Sequence, residues 1–131
     1  MYDKRILSLD DAKRVAAAAE AEAQRNNWNV VIAIVDDGGH LMYLQREKVQ
    51  LGSIDVAITK AKAALMFRRP TRVWEETVAS GRYGYLAMPG MLPLEGGVPL
   101  TCADDIVGAI GVSGVKSSED GQIAAAGAAA L

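Results

Sequence analysis

The amino-acid sequence predicts an α+β domain in which helices flank a central antiparallel sheet, and three observations carry that expectation. Apolar, β-branched blocks come in adjacent pairs, Val30 to Val35 with His40 to Gln45 and Val98 to Thr101 with Ile106 to Val112. Each pair is joined by a turn too short for a parallel crossover. Segments of helical periodicity precede, separate and follow the pairs, the order of an α+β sandwich and not of a doubly wound parallel sheet. Finally, 131 residues at 50% hydrophobic and 23% charged suffice for one core. With no repeat or linker in view, residues 1–131 read as a single domain.

Ser8-Leu9-Asp10-Asp11 marks the first helix start, because the Ser8 hydroxyl accepts from free N–H groups while Asp11 sits three residues on. Ala12, Val15, Ala16, Ala19 and Ala23 then form a narrow apolar stripe, closed by Asn26-Asn27. The unbroken apolar run Val30 to Val35 predicts a strand covered on both faces, and Asp36-Asp37-Gly38-Gly39 supplies its turn. Gly52-Ser53 opens a second helix whose Ile54, Ala57, Ile58, Ala61 and Leu65 share one face, with Lys60 and Lys62 on others. Pro70 stops it near Phe67-Arg68-Arg69, and Thr71 is expected to cap a short third helix carrying Val73, Trp74 and Val78 and ending at Gly81.

Gly84 to Gly97 reads as a long surface loop with room for a short strand, and loops of that length are usually functional or mobile. Ala103-Asp104-Asp105 joins the last two strands. Gly108 and Gly111 thin the second of these, which is tolerable where a helix, a partner chain or a ligand approaches closely. Ser117-Ser118-Glu119-Asp120 begins a terminal helix that runs into the closing alanines.

A net charge of −2 leaves no large basic footprint for a phosphate backbone, so nucleic acid is not an expected partner. One cysteine, Cys102, makes no internal disulfide, and one histidine, His40, assembles no structural zinc set. Met1 leads directly into a polar segment without a signal-peptide stretch, and the alanine-rich end is too short to span a bilayer. The expectation is therefore a cytoplasmic chain without a membrane partner.

His40, directly after Gly38-Gly39, is the candidate metal ligand, proton carrier or general base, set against the plainer reading of a turn residue with a hydrogen-bonded ring. Glu95-Gly96-Gly97-Val98-Pro99 either brings bare main chain to an anionic or planar ligand or forms an ordinary tight turn. A phosphate loop is disfavoured, since no Lys-Ser/Thr follows the glycines and Gly108-Ala109-Ile110-Gly111 lies within a strand. Arg68 and Arg69 either neutralise a ligand's carboxylates or face the negative end of the second helix. Glu75-Glu76 and Asp104-Asp105 read as solvated surface. Cys102 reads as a core filler unless the fold brings it to His40, and Met88 and Met91 as a pocket wall or loop anchors.

Taken in order, Ile34-Val35-Asp36-Asp37-Gly38-Gly39-His40-Leu41, Ser53-Ile54-Asp55-Val56-Ala57 on to Lys60-Ala61-Lys62-Ala63-Ala64, Phe67-Arg68-Arg69-Pro70-Thr71, Gly96-Gly97-Val98-Pro99-Leu100, Ile106 to Gly114 and Glu119-Asp120 cover nearly the whole chain. Together they resemble the GlcG/HbpS-like family, also called the haem-degrading or DUF336 domain, which is similar to the C-terminal domain of PduO-type corrinoid adenosyltransferases. The resemblance implies a profilin-like fold with a five-stranded antiparallel sheet, homo-oligomers, and a small-molecule ligand that in some members is haem. Under that implication His40 is the candidate iron ligand, since the first helix lacks the histidine some members carry there. Oxygen from Thr101, Tyr83 or Tyr85 is the weaker alternative. Arg68 and Arg69 become the charge partners, and Glu95, Gly96 and Gly97 the close-approach segment. The rival expectation is a hydrolase, isomerase or tautomerase acting on a small catabolic intermediate, with His40 as general base and Cys102 or backbone N–H groups assisting.

Overall fold

In the computed structural model, which describes residues 1–131, the two expected strand pairs are antiparallel hairpins. The first joins β1 (Val31–Asp36) to β2 (Leu41–Arg46), the second β3 (Gly97–Cys102) to β4 (Asp105–Ser113). They meet through β1 and β4, so the sheet runs β2-β1-β4-β3 with every neighbour antiparallel. The two inner strands are the ones with continuous aliphatic runs, as strands covered on both faces must be.

Helices α1 (Leu9–Arg25) and α4 (Ser117–Ala128) cover one face, where Ile32, Ile34, Ile110 and Val112 of the sheet meet Val15 and Ile123. Each such side chain contributes roughly 1.5–3 kcal/mol by leaving water. Helix α2 (Ser53–Met66) covers the opposite face with small residues, Ala57, Ala61 and Ala64, against Val31, Ala33, Val35 and Ala109. Gly111 is where it comes closest: a Cβ there would collide with the Ala57 carbonyl and lie 2.6 Å from the Ala61 nitrogen. A helix, not a ligand, accounts for Gly111, while a Cβ at Gly108 would meet the Val35 carbonyl of β1 at 2.5 Å.

The ends of the helices follow their sequences. Ser8 Oγ accepts from the Asp11 N–H and the Asp11 carboxylate accepts from the Ser8 N–H, each at 3.1 Å, which closes a reciprocal cap on α1. At the far end of α2, Arg68 takes a left-handed conformation with φ 59°. Its N–H donates to Leu65 O and that of Arg69 to Ala64 O, each at 3.2 Å, so these two carbonyls of the last turn are satisfied before Pro70 turns the chain.

Three expectations need correction. The sheet has four strands and not the five the family resemblance implied. The expected loop 84–97 is entered by a 3-10 turn at Tyr83–Ala87 and then follows an irregular path until Gly97 opens β3, because Pro89 and Pro93 lack ladder donors and Gly90 sits at φ 80°. Thr71 does not cap α3 (Thr71–Ala79): it lies buried inside the first turn, and its Oγ1 accepts from the Gly97 N–H at 2.9 Å. Lys60 is not on a solvated face but buried, 2% exposed. No helix is long and apolar enough to cross a membrane.

Candidate functional site

Because β1 and β4 run antiparallel, the β1–β2 turn and the β3–β4 turn emerge at the same end of the sheet. His40 belongs to the first turn. There Asp36 Oδ1 accepts from the Gly38 and His40 N–H groups, each at 2.9 Å, and those donors hold the Asp36 carboxyl below its usual range. The His40 side chain is exposed and its ring enters no hydrogen bond, so both ring nitrogens stay available. The same turn rests on the last turn of α2, since a Cβ at Gly39 would touch Leu65 Cδ2 at 3.6 Å. Arg68 and Arg69 therefore lie at this end too, both exposed. Arg68 makes no ion pair. Arg69 is engaged, its Nε donating to Phe67 O at 3.1 Å and its guanidinium stacked 4.9 Å from the Trp74 ring.

Thr101, at the end of edge strand β3, is exposed at this end as well. Beside it the N-terminal arm and the β3–β4 turn enclose an open groove of about 470 Å³ lined by Asp3, Lys4, Arg5, Cys102, Ala103 and Asp105. Lys4 reaches across to Asp37 in the His40 turn at 3.4 Å, and Arg5 Nη1 donates to Cys102 Sγ at 3.6 Å. Cys102 thus faces an arginine rather than His40. No three His, Cys, Asp or Glu side chains assemble into a metal cage.

Glu95, Gly96 and Gly97 form a second place. Gly97 pairs with Gly111, level with Ala33, whereas the His40 turn begins after Asp36; three residues of β1 separate the two, about 10 Å at the usual strand rise. The segment lines a recess of about 200 Å³ together with Pro70, Arg72 and Gly121. Main chain fixes it: Thr71 Oγ1 holds the Gly97 N–H, the Glu75 carboxylate accepts from the Glu95 N–H at 3.2 Å, and Gly96 O accepts from the Val112 N–H at 2.9 Å. Glu75 is therefore a structural anchor and not free surface. Burial pushes the Glu95 carboxyl above the usual carboxylate range, Glu75 and Glu76 add to this, and Arg72 and Lys60 oppose it.

Behind the recess lies a buried ion pair that sequence reading missed. Lys60 Nζ donates to Asp120 Oδ2 at 2.9 Å and to Val112 O at 3.1 Å, while Asp120 Oδ1 accepts from the Val115 N–H at 3.2 Å. Both side chains are 3% exposed, and burial pushes the Asp120 carboxyl up against the opposing pull of Lys60. A signal for Lys60 existed: with Ala57, Ala61 and Ala64 it falls at the spacing of the covered stripe of α2. Beyond the recess, Trp74 packs between Phe67, edge-on at 5.7 Å, and Tyr85, tilted at 5.0 Å, its buried Nε1 without an acceptor.

Against known proteins, the pattern of the family described as haem degrading protein HbpS-like matches residues 7–129. The chain is 43% identical over 114 residues to protein GlcG of Escherichia coli, covering 86% of this chain and 85% of that one. Among solved structures it is similar to a double mutant of Streptomyces reticuli HbpS, with a TM-score of 0.88 and 32% identity over 100% of this chain and 90% of the other. It is also similar to PduOC in a complex with haem, with a TM-score of 0.85 and 27% identity over 97% of this chain and 96% of the other.

Proposed function

The chain belongs to the haem-degrading, HbpS-like family, and on that premise we propose that it binds a flat, partly anionic small molecule at the turn end of its sheet, with haem as the candidate ligand. The observation that carries this reading is that an unengaged imidazole, His40, stands in the turn that Lys4 ties, through Asp37, to a neighbouring groove lined by Lys4 and Arg5. The donor set suits the group: a neutral ring nitrogen for iron, cations for propionates, and a volume of about 470 Å³, within the range of about 300–1,000 Å³ usual for ligand pockets. Bound haem would supply iron redox chemistry. His40 would hold the metal, Lys4, Arg5 and Arg68 would balance the carboxylates, and Thr101 would offer an oxygen. The solved haem complex of PduOC supports the ligand's identity at the level of the family.

Haemin titrated into the purified chain tests the reading. The expected result is a saturable, stoichiometric Soret shift that His40→Ala weakens at least about tenfold. Absence of a stoichiometric shift rejects haem; a shift indifferent to His40→Ala rejects ligation by that residue.

A further inference from the structure

We propose that the recess beneath Glu95 is a separate binding site, built for a short-chain carboxylate that carries a carbonyl or hydroxyl oxygen on the neighbouring carbon. It does not depend on the reading of the turn end. Two polar groups on the wall of the recess have no partner within the chain. Gly96 is buried, yet its N–H donates to no protein acceptor, and the Glu95 carboxylate at the same wall accepts from no protein donor. The recess thus offers a free backbone donor and a partly exposed carboxylate side by side, two groups that a ligand carrying more than one oxygen can meet together.

The walls are kept bare. A Cβ on Gly96 would lie 2.6 Å from Val112 O and 2.9 Å from Lys60 Nζ, and one on Gly121 would strike the Glu95 carboxylate. No side chain at these positions closes the space, and the Lys60–Asp120 pair fixes the floor behind it. Arg72 stands at the mouth, its side chain 60% exposed and its ion pair with Glu76 long at 3.7 Å. A solvated pair of that length holds the guanidinium weakly.

These groups define the ligand by chemistry. A guanidinium recognises a carboxylate. A backbone N–H donates to an oxygen, and Glu95 accepts from a hydroxyl when ionised or donates to a carbonyl when protonated. A recess of about 200 Å³ suits roughly six to eight non-hydrogen atoms and is too small for haem.

Amide correlation spectra of the whole ¹⁵N-labelled chain, with pyruvate and L-lactate as probes and propionate and acetone as controls, test the proposal. At least one of the two probes should move the Gly96, Gly97 and Gly121 signals saturably, with Kd on the order of 1 mM. Propionate, lacking the second oxygen, and acetone, lacking the charge, should bind at least about fivefold more weakly. Arg72→Ala and Glu95→Gln should each weaken the probe about tenfold, and His40→Ala should leave it unchanged. Unsaturable shifts with both probes, equal binding of propionate, or indifference to Arg72→Ala overturns the proposal. Arg72 is exposed, so its variant carries the test even if Glu95→Gln disturbs folding.

Discussion

Replacing Lys60 with methionine probes the part of the structure on which the recess stands. The substitution keeps the length and apolar stem of the side chain but removes a cation 2.9 Å from Asp120 Oδ2 and 3.1 Å from Val112 O. At an effective dielectric of about 20, opposite charges 3–4 Å apart attract by roughly 4–6 kcal/mol, which offsets the several kcal/mol each ion loses on leaving water. Removing one partner leaves the other buried and uncompensated, so Lys60→Met should cost about 3–5 kcal/mol. With a urea slope of about 2 kcal/mol/M, the midpoint should fall by about 1.5–2.5 M, followed by tryptophan emission. Lys60→Met with Asp120→Asn removes both charges and keeps an acceptor for the Val115 N–H, so it should regain at least about 2 kcal/mol. The pH dependence has a definite sign. Burial puts the folded Asp120 carboxyl above its unfolded value of 3.8, so its contribution is most favourable below that value and declines as pH rises toward the folded one. Asp120→Asn should abolish that decline. A loss below about 1 kcal/mol in Lys60→Met, or a double variant no more stable than the single, would refute the reasoning.

Asp36→Ala should cost about 1–3 kcal/mol, because it strips the acceptor from two turn N–H groups; guanidinium melts would measure it. Since the folded Asp36 carboxyl lies below its unfolded value of 3.8, its stabilisation is present above that value and fades as pH falls through the folded one; Asp36→Asn should flatten this acid-side loss. Arg68→Gly relieves a left-handed residue at the end of α2 and should raise stability by about 1 kcal/mol, or Tm by about 4 °C. The same variant should weaken haemin in a Soret titration if Arg68 balances a propionate, so stability and affinity should move in opposite directions.

What was legible in the sequence was whatever local chemistry determines. The Ser8–Asp11 cap and the β-branched run of β1 depend on neighbours within about one turn or one strand, and each appears where expected; the stripe of α2 holds at Ala57, Ala61 and Leu65 but is turned toward Ser53, Lys60 and Ala64, leaving Ile54 and Ile58 half-buried. The fifth strand failed because it came from likeness and not from residues 84–97 themselves, whose prolines oppose pairing. Thr71 had the chemistry of a cap but was recruited by Gly97, 26 residues on, whose buried N–H needed an acceptor. Lys60 and Asp120 stand 60 residues apart, and nothing local pairs them. The candidate residues divided for the same reason: His40, Arg68, Arg69 and Thr101 gather at one end because antiparallel order brings two turns and a helix end together. Glu95, Gly96 and Gly97 sit elsewhere because Gly97 begins the edge strand opposite Gly111.

Helix α2 touches the sheet peptide group to peptide group: Gly111 seats the Ala57 carbonyl and Gly97 the Lys60 carbonyl, with no side chain between. A joint of that kind has no cushion, since repacking rotamers cannot take up a shift when bond lengths and van der Waals radii set the clearance. The helix acts as a stiff shaft with Leu65 under the His40 turn at one end and Lys60 under Gly96 along its length. A push at either seat must travel along it or be refused.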